Sequence, residues 1–494
     1  MPQSTRPRCP SREKRIRNLQ RKSEKVKTRK LSPILLMLCL FSLSHATRAQ
    51  DVAQAVDRYL SLRTEMGGFS GAVLIARDGK VLLRKGYGFA DVERRVPYTP
   101  ETQHEIASIS KMFTAMAALK LRDSGKLQLS DSICKYLPDC PAAWQPITIQ
   151  QLMRHTSGIP DYEQQLEIGS DKYLELMVKP EATSIIIENA KKLPLDFKPG
   201  EKFHYSNTGY IILSHIVQRA AGQPFAEFVR KNILEPAGMK HSGIIGAGKP
   251  PQKLAHGYTY GDIGWEKMIG GVALTAGHLK RLPQLALTPP AGDGGLYSTI
   301  DDLYLWSRLM DGSKLVPAAL AAEVYTPGLD NYGYGWFIDK GFERRRMWHN
   351  GLLPGYTSEL LKFPDDKITI IIFCNMDRAR LSRIRRDVSA IVLGKPYDMP
   401  VRGTVIKLTP EQVARLEGTY KMSDGDVLTI RNEPDYLTAE IKNQFTAGLI
   451  PLSQTEFYFP LADGKALFTL DPNGRAVKVN LRYSGEDHTG ERIP

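Results

Sequence analysis

The sequence predicts an α+β chain, an antiparallel sheet flanked by helices, followed by a small C-terminal β domain. Three observations carry this. Strand-like runs stand near residues 71–90 and again near 333–376. The stretch between, from about 140 to 290, reads as helices and loops. After Leu416 apolar residues alternate between turns, as strands do. At 494 residues, 42 % hydrophobic and 24 % charged, the composition is ordinary for a globular protein and the length allows two or three domains.

The first element is a basic leader. Of the formal charge of +14, residues 1–50 hold +11 (13 Lys or Arg against 2 Asp or Glu), which leaves +3 for residues 51–494. The folded part is nearly balanced and carries no basic patch that points to nucleic acid. The basic stretch runs into ILLMLCLFSL (34–43), then SHATRAQD, with Thr47 and Ala49 at the small positions ahead of Gln50. Basic, apolar, small is the pattern of a secretory signal peptide cleaved near Ala49. The apolar run is short for a stable membrane span. A basic tail with an uncleaved anchor is the alternative.

DVAQAVDRYLSLRTEM (51–66) has helical spacing. GAVLIARDGKVLLRKGYGFA (71–90) is two strands joined through Asp78-Gly79, a strong hairpin signal because type I′ turns need positive φ. Ser108 to Asp123 reads as a helix with Gly125 just past its end, and GYIILSHIVQRAAG (209–222) as one closed by Gly222. Residues 333–376 read as neighbouring antiparallel strands and 378–393 as a helix. Residues 394–412 have the Pro and Gly content of a linker with a short helix. Residues 413–494, with turns at Asp463-Gly464 and Asn473-Gly474, read as a partly closed barrel or a sandwich. The expected domains are therefore 1–49, 51–393, 394–412 and 413–494. Cys134 and Cys140 are spaced to form a disulfide loop in an oxidising compartment, with free buried thiols the alternative. No metal-ligand motif occurs, and no cofactor is expected.

Three short motifs bear chemistry. The first is Ser-x-x-Lys. With 28 Ser and 33 Lys, chance alone gives about two matches. There are three, SREK (11–14), SISK (108–111) and SICK (132–135), and only SISK opens a long apolar helix. One turn apart, Ser108 and Lys111 share a face, so the amine can take the hydroxyl's proton and activate a nucleophile. Ser110 points elsewhere. The second is FHYSNTGY (203–210): Tyr205 can shuttle a proton as phenol or phenolate, and Asn207 can bond a substrate amide. The third is WHNGL (348–352). His349 and Gly351 face one side of a strand, the glycine would let a substrate backbone approach, and the N–H after it would pair with that of Ser108 as an oxyanion hole.

In this order the motifs resemble the serine β-lactamase and penicillin-binding-protein superfamily, nearest the branch of class C β-lactamases, D-Ala-D-Ala carboxypeptidases and esterases. LMRHTSGIPDY (152–162), EPAGMKHSGI (235–244) and GDGGLYSTIDDLYLW (292–306) are similar to that branch too, so the resemblance covers roughly 55–393. It implies a sheet beside a helical lobe, with the site in the cleft between. It implies Ser108 as acylated nucleophile, Lys111 as base and Tyr205 as proton shuttle. Asn207, His349, Asn350, Gly351 and Leu352 would bind a small-molecule or peptide substrate. His349-Asn350-Gly351 stands where β-lactamases usually have Lys-Thr-Gly. A histidine partly charged near neutrality replaces a full cation, which speaks for ester or amide substrates, including D-amino-acid peptides, over lactams. A class C β-lactamase and a non-catalytic penicillin-binding sensor are the alternatives. The sequence leaves the oligomeric state open.

Overall fold

The computed structural model describes residues 50–494 except 66–67, 167–169, 180, 248–249, 261–278, 283–290, 314, 378, 380, 401–405, 434–435, 442–444, 460–463 and 484–485. The expected leader lies outside the described residues, as does Asp463.

Helix α1 covers residues 50–65. Strands β1 (Gly71–Arg77) and β2 (Lys80–Tyr87) form the expected hairpin. Asp78 and Gly79 have φ of 51° and 75°, the two left-handed residues a type I′ turn requires. Helix α2 is Ser110–Asp123 and α3 is Asn207–Ala221. Four antiparallel strands follow: β3 (Phe337–Gly341), β4 (Arg344–Leu353), β5 (Tyr356–Phe363) and β6 (Ile368–Cys374), then helix α4 (Leu381–Leu393). The six-stranded sheet has the order β3-β4-β5-β6-β1-β2, so β1 pairs with β6 and the two ends of the domain meet in mid-sheet.

That pairing explains the sequence of β6, ITIIIFC, which is apolar but for Thr369. A strand covered on both faces cannot alternate apolar with polar. Ile371 and Phe373 face a core shared with α2 and α3, whereas Ile370, Ile372 and Cys374 face α1 and α4. β1 splits likewise, Ala72 and Leu74 to the first core, Val73 and Ile75 to the second.

The C-terminal β domain is a closed eight-stranded barrel rather than a partly closed one. Its first strand, Gly418–Met422, pairs with both Val427–Glu433 and the last strand, Glu486–Ile493. Closure satisfies the backbone groups that an open edge would expose. The barrel has its own core, including Tyr420, Leu428, Leu449, Phe457 and Leu481. Cys134 and Cys140 are joined as a disulfide. Among the described residues no helix is long and apolar enough to cross a membrane.

Candidate active site

Ser108 does not start the helix proper. It sits in a 3₁₀ turn, Ala107–Ile109, which runs into α2. Ala107 has φ of 49°, a left-handed conformation that costs a non-glycine residue about 1–2 kcal/mol. The turn is held from two sides. Ile106 donates its N–H to the carbonyl of Leu296 (2.9 Å), and its own carbonyl accepts from Ser358 Oγ (2.8 Å). Ser110 turns away and accepts from the N–H of Leu296 at 3.0 Å. Its hydroxyl fastens the 291–295 loop to α2, as does that of Thr114, which donates to the carbonyl of Gly292 (2.7 Å).

Lys111 is fully buried and its Nζ donates to three oxygens: Ser108 Oγ at 3.0 Å, Asn207 Oδ1 at 2.7 Å and the carbonyl of Asp293 at 2.7 Å. Burial pushes its amine down to about 8, against the pull of Asp293, Glu163 and Asp161, which favour the charged form. Its Nζ lies 4.9 Å from the centre of the Tyr205 ring.

Tyr205 precedes α3, and Asn207 opens it. Ser206 caps the helix through its Oγ, which accepts from Gly209 N at 3.1 Å, and Gly222 ends it at φ 67°. The sequence allowed Tyr205 to be a phenolate. Burial instead raises its hydroxyl well above the usual phenol value, with Glu163, Asp161 and Asp293 adding to the rise and the Ser108 hydroxyl opposing it. The resting group is a neutral phenol. Asn207, expected to meet a substrate amide, has both Nδ2 protons engaged and its Oδ1 bonded to Lys111. Its Nδ2 donates to Glu163 Oε2 (2.8 Å) and Asp161 Oδ2 (3.2 Å), while Oδ1 accepts from Lys111.

β4 carries the third motif, and here the structure corrects two expectations. His349 and Gly351 do share a side of the strand, but it is the inward one. His349 is 1 % exposed, its Nε2 is 3.1 Å from Tyr332 Oη, and burial pushes its imidazole down to about 3. It carries no partial charge near neutrality, because a buried imidazolium has lost its water. Gly351 is small for another reason than substrate approach. A Cβ there would lie 2.2 Å from the carbonyl oxygen of Ile106 and 2.9 Å from Ala107 Cβ. The glycine lets the Ser108 turn press against the sheet. Asn350 and Leu352, on the alternate side, face outward.

Ser108, Tyr205 and Asn207 line a cleft of about 400 Å³ with Asn350, Leu352 and two carboxylates, Asp161 and Glu163. His349 and Gly351 lie behind that wall and Lys111 beneath it. The sequence reading did not assign roles to Asp161, Glu163, Asp293 or His155. Asp161, His155 and Asp293 sit inside stretches it had marked as similar to the family, which was the available signal; Glu163 falls just past one. Asp161 Oδ1 accepts from the N–H of Asn207 (2.9 Å) and so also pins the start of α3. His155 Nδ1 accepts from Ser206 N (3.0 Å), which leaves its proton on Nε2, and the ring packs 4.2 Å from that of Tyr205. Burial pushes Glu163 up to about 7.

Comparison with known proteins identifies the family and the fold. The family model described as Beta-lactamase matches residues 53–393. Penicillin-binding protein 4* of Bacillus subtilis (strain 168) is 29 % identical over 430 residues, covering 84 % of this chain and 93 % of that protein. The octameric penicillin-binding protein homologue from Pyrococcus abyssi aligns with a TM-score of 0.62 at 25 % identity, over 89 % of this chain and 99 % of that one. A D-amino acid amidase from Ochrobactrum anthropi SV3, 21 % identical, shares the fold with a TM-score of 0.58 over 70 % of this chain and 99 % of its own. The chain therefore belongs to the Beta-lactamase family and is a serine hydrolase of the β-lactamase and penicillin-binding-protein fold.

Proposed function

We propose that this protein is an exported hydrolase that cleaves an ester or amide bond through an acyl-enzyme on Ser108. The supporting observation is the 3.0 Å contact between Ser108 Oγ and a buried Lys111 whose amine is held near 8. Neutral Lys111 takes the hydroxyl proton as Oγ attacks the carbonyl carbon. The backbone N–H groups of Ser108 and Leu352 receive the oxyanion. Tyr205, a neutral phenol, gives a proton to the leaving group and regains it from Lys111. The leaving group departs as alcohol or amine, and water then hydrolyses the ester by the same route in reverse.

The substrate is a neutral or amine-bearing ester or amide, with D-amino-acid amides and peptides the first class to try. Of the described residues lining the cleft, two are carboxylates and none is Lys or Arg. A lactam carboxylate finds no cation at His349, which speaks against the β-lactamase alternative. Ser108, Lys111 and Tyr205 fill every nucleophile and proton-transfer position, which speaks against the non-catalytic sensor. Export is supported by the basic, apolar, small leader and by the Cys134–Cys140 disulfide.

A fluorophosphonate probe tests the core of this reading. Labelling of the wild-type chain and none of Ser108→Ala is the expected result, and hydrolysis surviving in Ser108→Ala would refute it. A panel of nitrocefin, p-nitrophenyl esters and D-Ala peptides sorts the substrates. N-terminal sequencing of secreted protein, expected to begin at Gln50, tests export.

A further inference from the structure

Two carboxylates, Asp161 and Glu163, hold the side chain of Asn207. A neutral lysine amine has two N–H bonds and one lone pair. Around Lys111 stand three oxygens. The Asp293 carbonyl and Asn207 Oδ1 can only accept. Ser108 Oγ can donate. If both acceptors take N–H bonds, the lone pair is left facing Ser108, as a general base requires. The arrangement fails if the Asn207 amide turns over, because Nδ2 would then donate to Lys111 and occupy that lone pair. An asparagine side chain is nearly symmetric in shape, so only its partners hold its orientation. Here Glu163 Oε2 (2.8 Å) and Asp161 Oδ2 (3.2 Å) accept both Nδ2 protons.

We propose that Glu163, assisted by Asp161, is a positioning residue for acylation: it locks the Asn207 amide so that the Lys111 lone pair can point only at Ser108. This rests on the reading of Ser108 as nucleophile and Lys111 as base. Asp161 also caps α3, so Glu163 is the cleaner residue to change. The groups facing Lys111 are Asp161 and Glu163 from one segment, Asp293 from the 291–295 loop, Tyr205 and Tyr210 at α3, and, electrostatically, His155 and His349. The carboxylates hold the lysine proton on, so removing one moves the rising limb of the pH–rate profile to lower pH.

The experiment measures p-nitrophenyl acetate hydrolysis across pH for wild type, Glu163→Ala, Glu163→Gln and Ser108→Ala, with circular dichroism as a check on folding. In Glu163→Ala the plateau kcat should fall about 10–100-fold with KM within about twofold, the size expected when a catalytic base is misaimed. Glu163→Gln keeps an acceptor oxygen and should recover most of that rate. Both variants lose the charge, so the rising limb should move acid-ward in both. A plateau for Glu163→Ala within twofold of wild type overturns the proposal. So does a rate loss that Glu163→Gln fails to recover while the limb stays in place, since that is the mark of a purely structural role. Activity retained in Ser108→Ala refutes the underlying reading. Loss of activity there with an unaffected Glu163→Ala refutes this inference alone.

Discussion

The C-terminal barrel and the cleft around Ser108 are built by the same local rules but bury different things. The barrel interior is Leu, Ile, Val, Ala, Phe, Tyr and Met, with Thr438 the buried polar residue among those described there. The region of the cleft buries Lys111, Asp161, Asn207, Asp293, His155 and His349, and Ala107, next to Ser108, is held at positive φ. Each buried polar group costs several kcal/mol unless it is bonded, and the left-handed backbone at Ala107 adds about 1–2 kcal/mol. The barrel thus spends its interior on stability, while the cleft holds charged groups in a dry place where small geometric changes alter proton affinity.

Substitutions can sharpen or break that contrast. Replacing Lys111 with Met should have the largest effect, lowering the acylation rate by about 10²–10⁴, the range for loss of a general base, with secondary structure retained by circular dichroism. A Lys111→Met enzyme that still turned over p-nitrophenyl acetate at more than a tenth of the wild-type rate would show that the burial of this lysine is architectural. Gly351→Ala comes next. Its Cβ collides with the Ile106 carbonyl, so the Ser108 turn must shift, and about a 10–100-fold loss in rate is expected. Stopped-flow acylation beside a thermal melt would separate this loss from unfolding.

The pH profile gives a smaller effect. Lys111 must be unprotonated to act as base and its amine is held to about 8, so kcat/KM should climb tenfold per pH unit below 8 and level off above. A profile that instead rose through pH 6–7 would point to Glu163, which burial pushes up to about 7, as the group that titrates. The mildest effect on rate should come from the barrel. Leu449→Ala removes a fully buried side chain and should cost about 2–5 kcal/mol of stability in a urea melt, while probe labelling of Ser108 at 25 °C stays within twofold. If labelling fell with it, the barrel would be part of the cleft's support.

How much of this was legible beforehand depends on the distance over which each feature is set. The Asp78-Gly79 hairpin, the end of α3 at Gly222, and the pairing of Ser108 with Lys111 are set within a few residues, where spacing and turn chemistry decide; α3 starts at Asn207, two residues ahead of the expected Gly209. The reading placed the helix start at Ser108 because a 3₁₀ turn and a first helical turn share the i, i+3 spacing. It read the barrel as partly closed because closure depends on the strand at Gly418–Met422 meeting Glu486–Ile493, nearly the full length of the domain away.

At the site itself, the sequence by itself determined which side chains carry chemistry and in what order they occur: a hydroxyl with an amine one turn on, a phenol beside an amide, an imidazole and a glycine on alternate positions of a strand. Only the tertiary structure decided their charge and direction. His349 is neutral because its strand turns it away from water, Gly351 is small because the Ser108 turn lies against it, and the Lys111 amine is held at about 8 because burial outweighs the pull of Asp293, Glu163 and Asp161, which come from segments far apart in the chain. Proton affinity depends on solvent and on neighbours in space, and neither is set by residues adjacent in sequence.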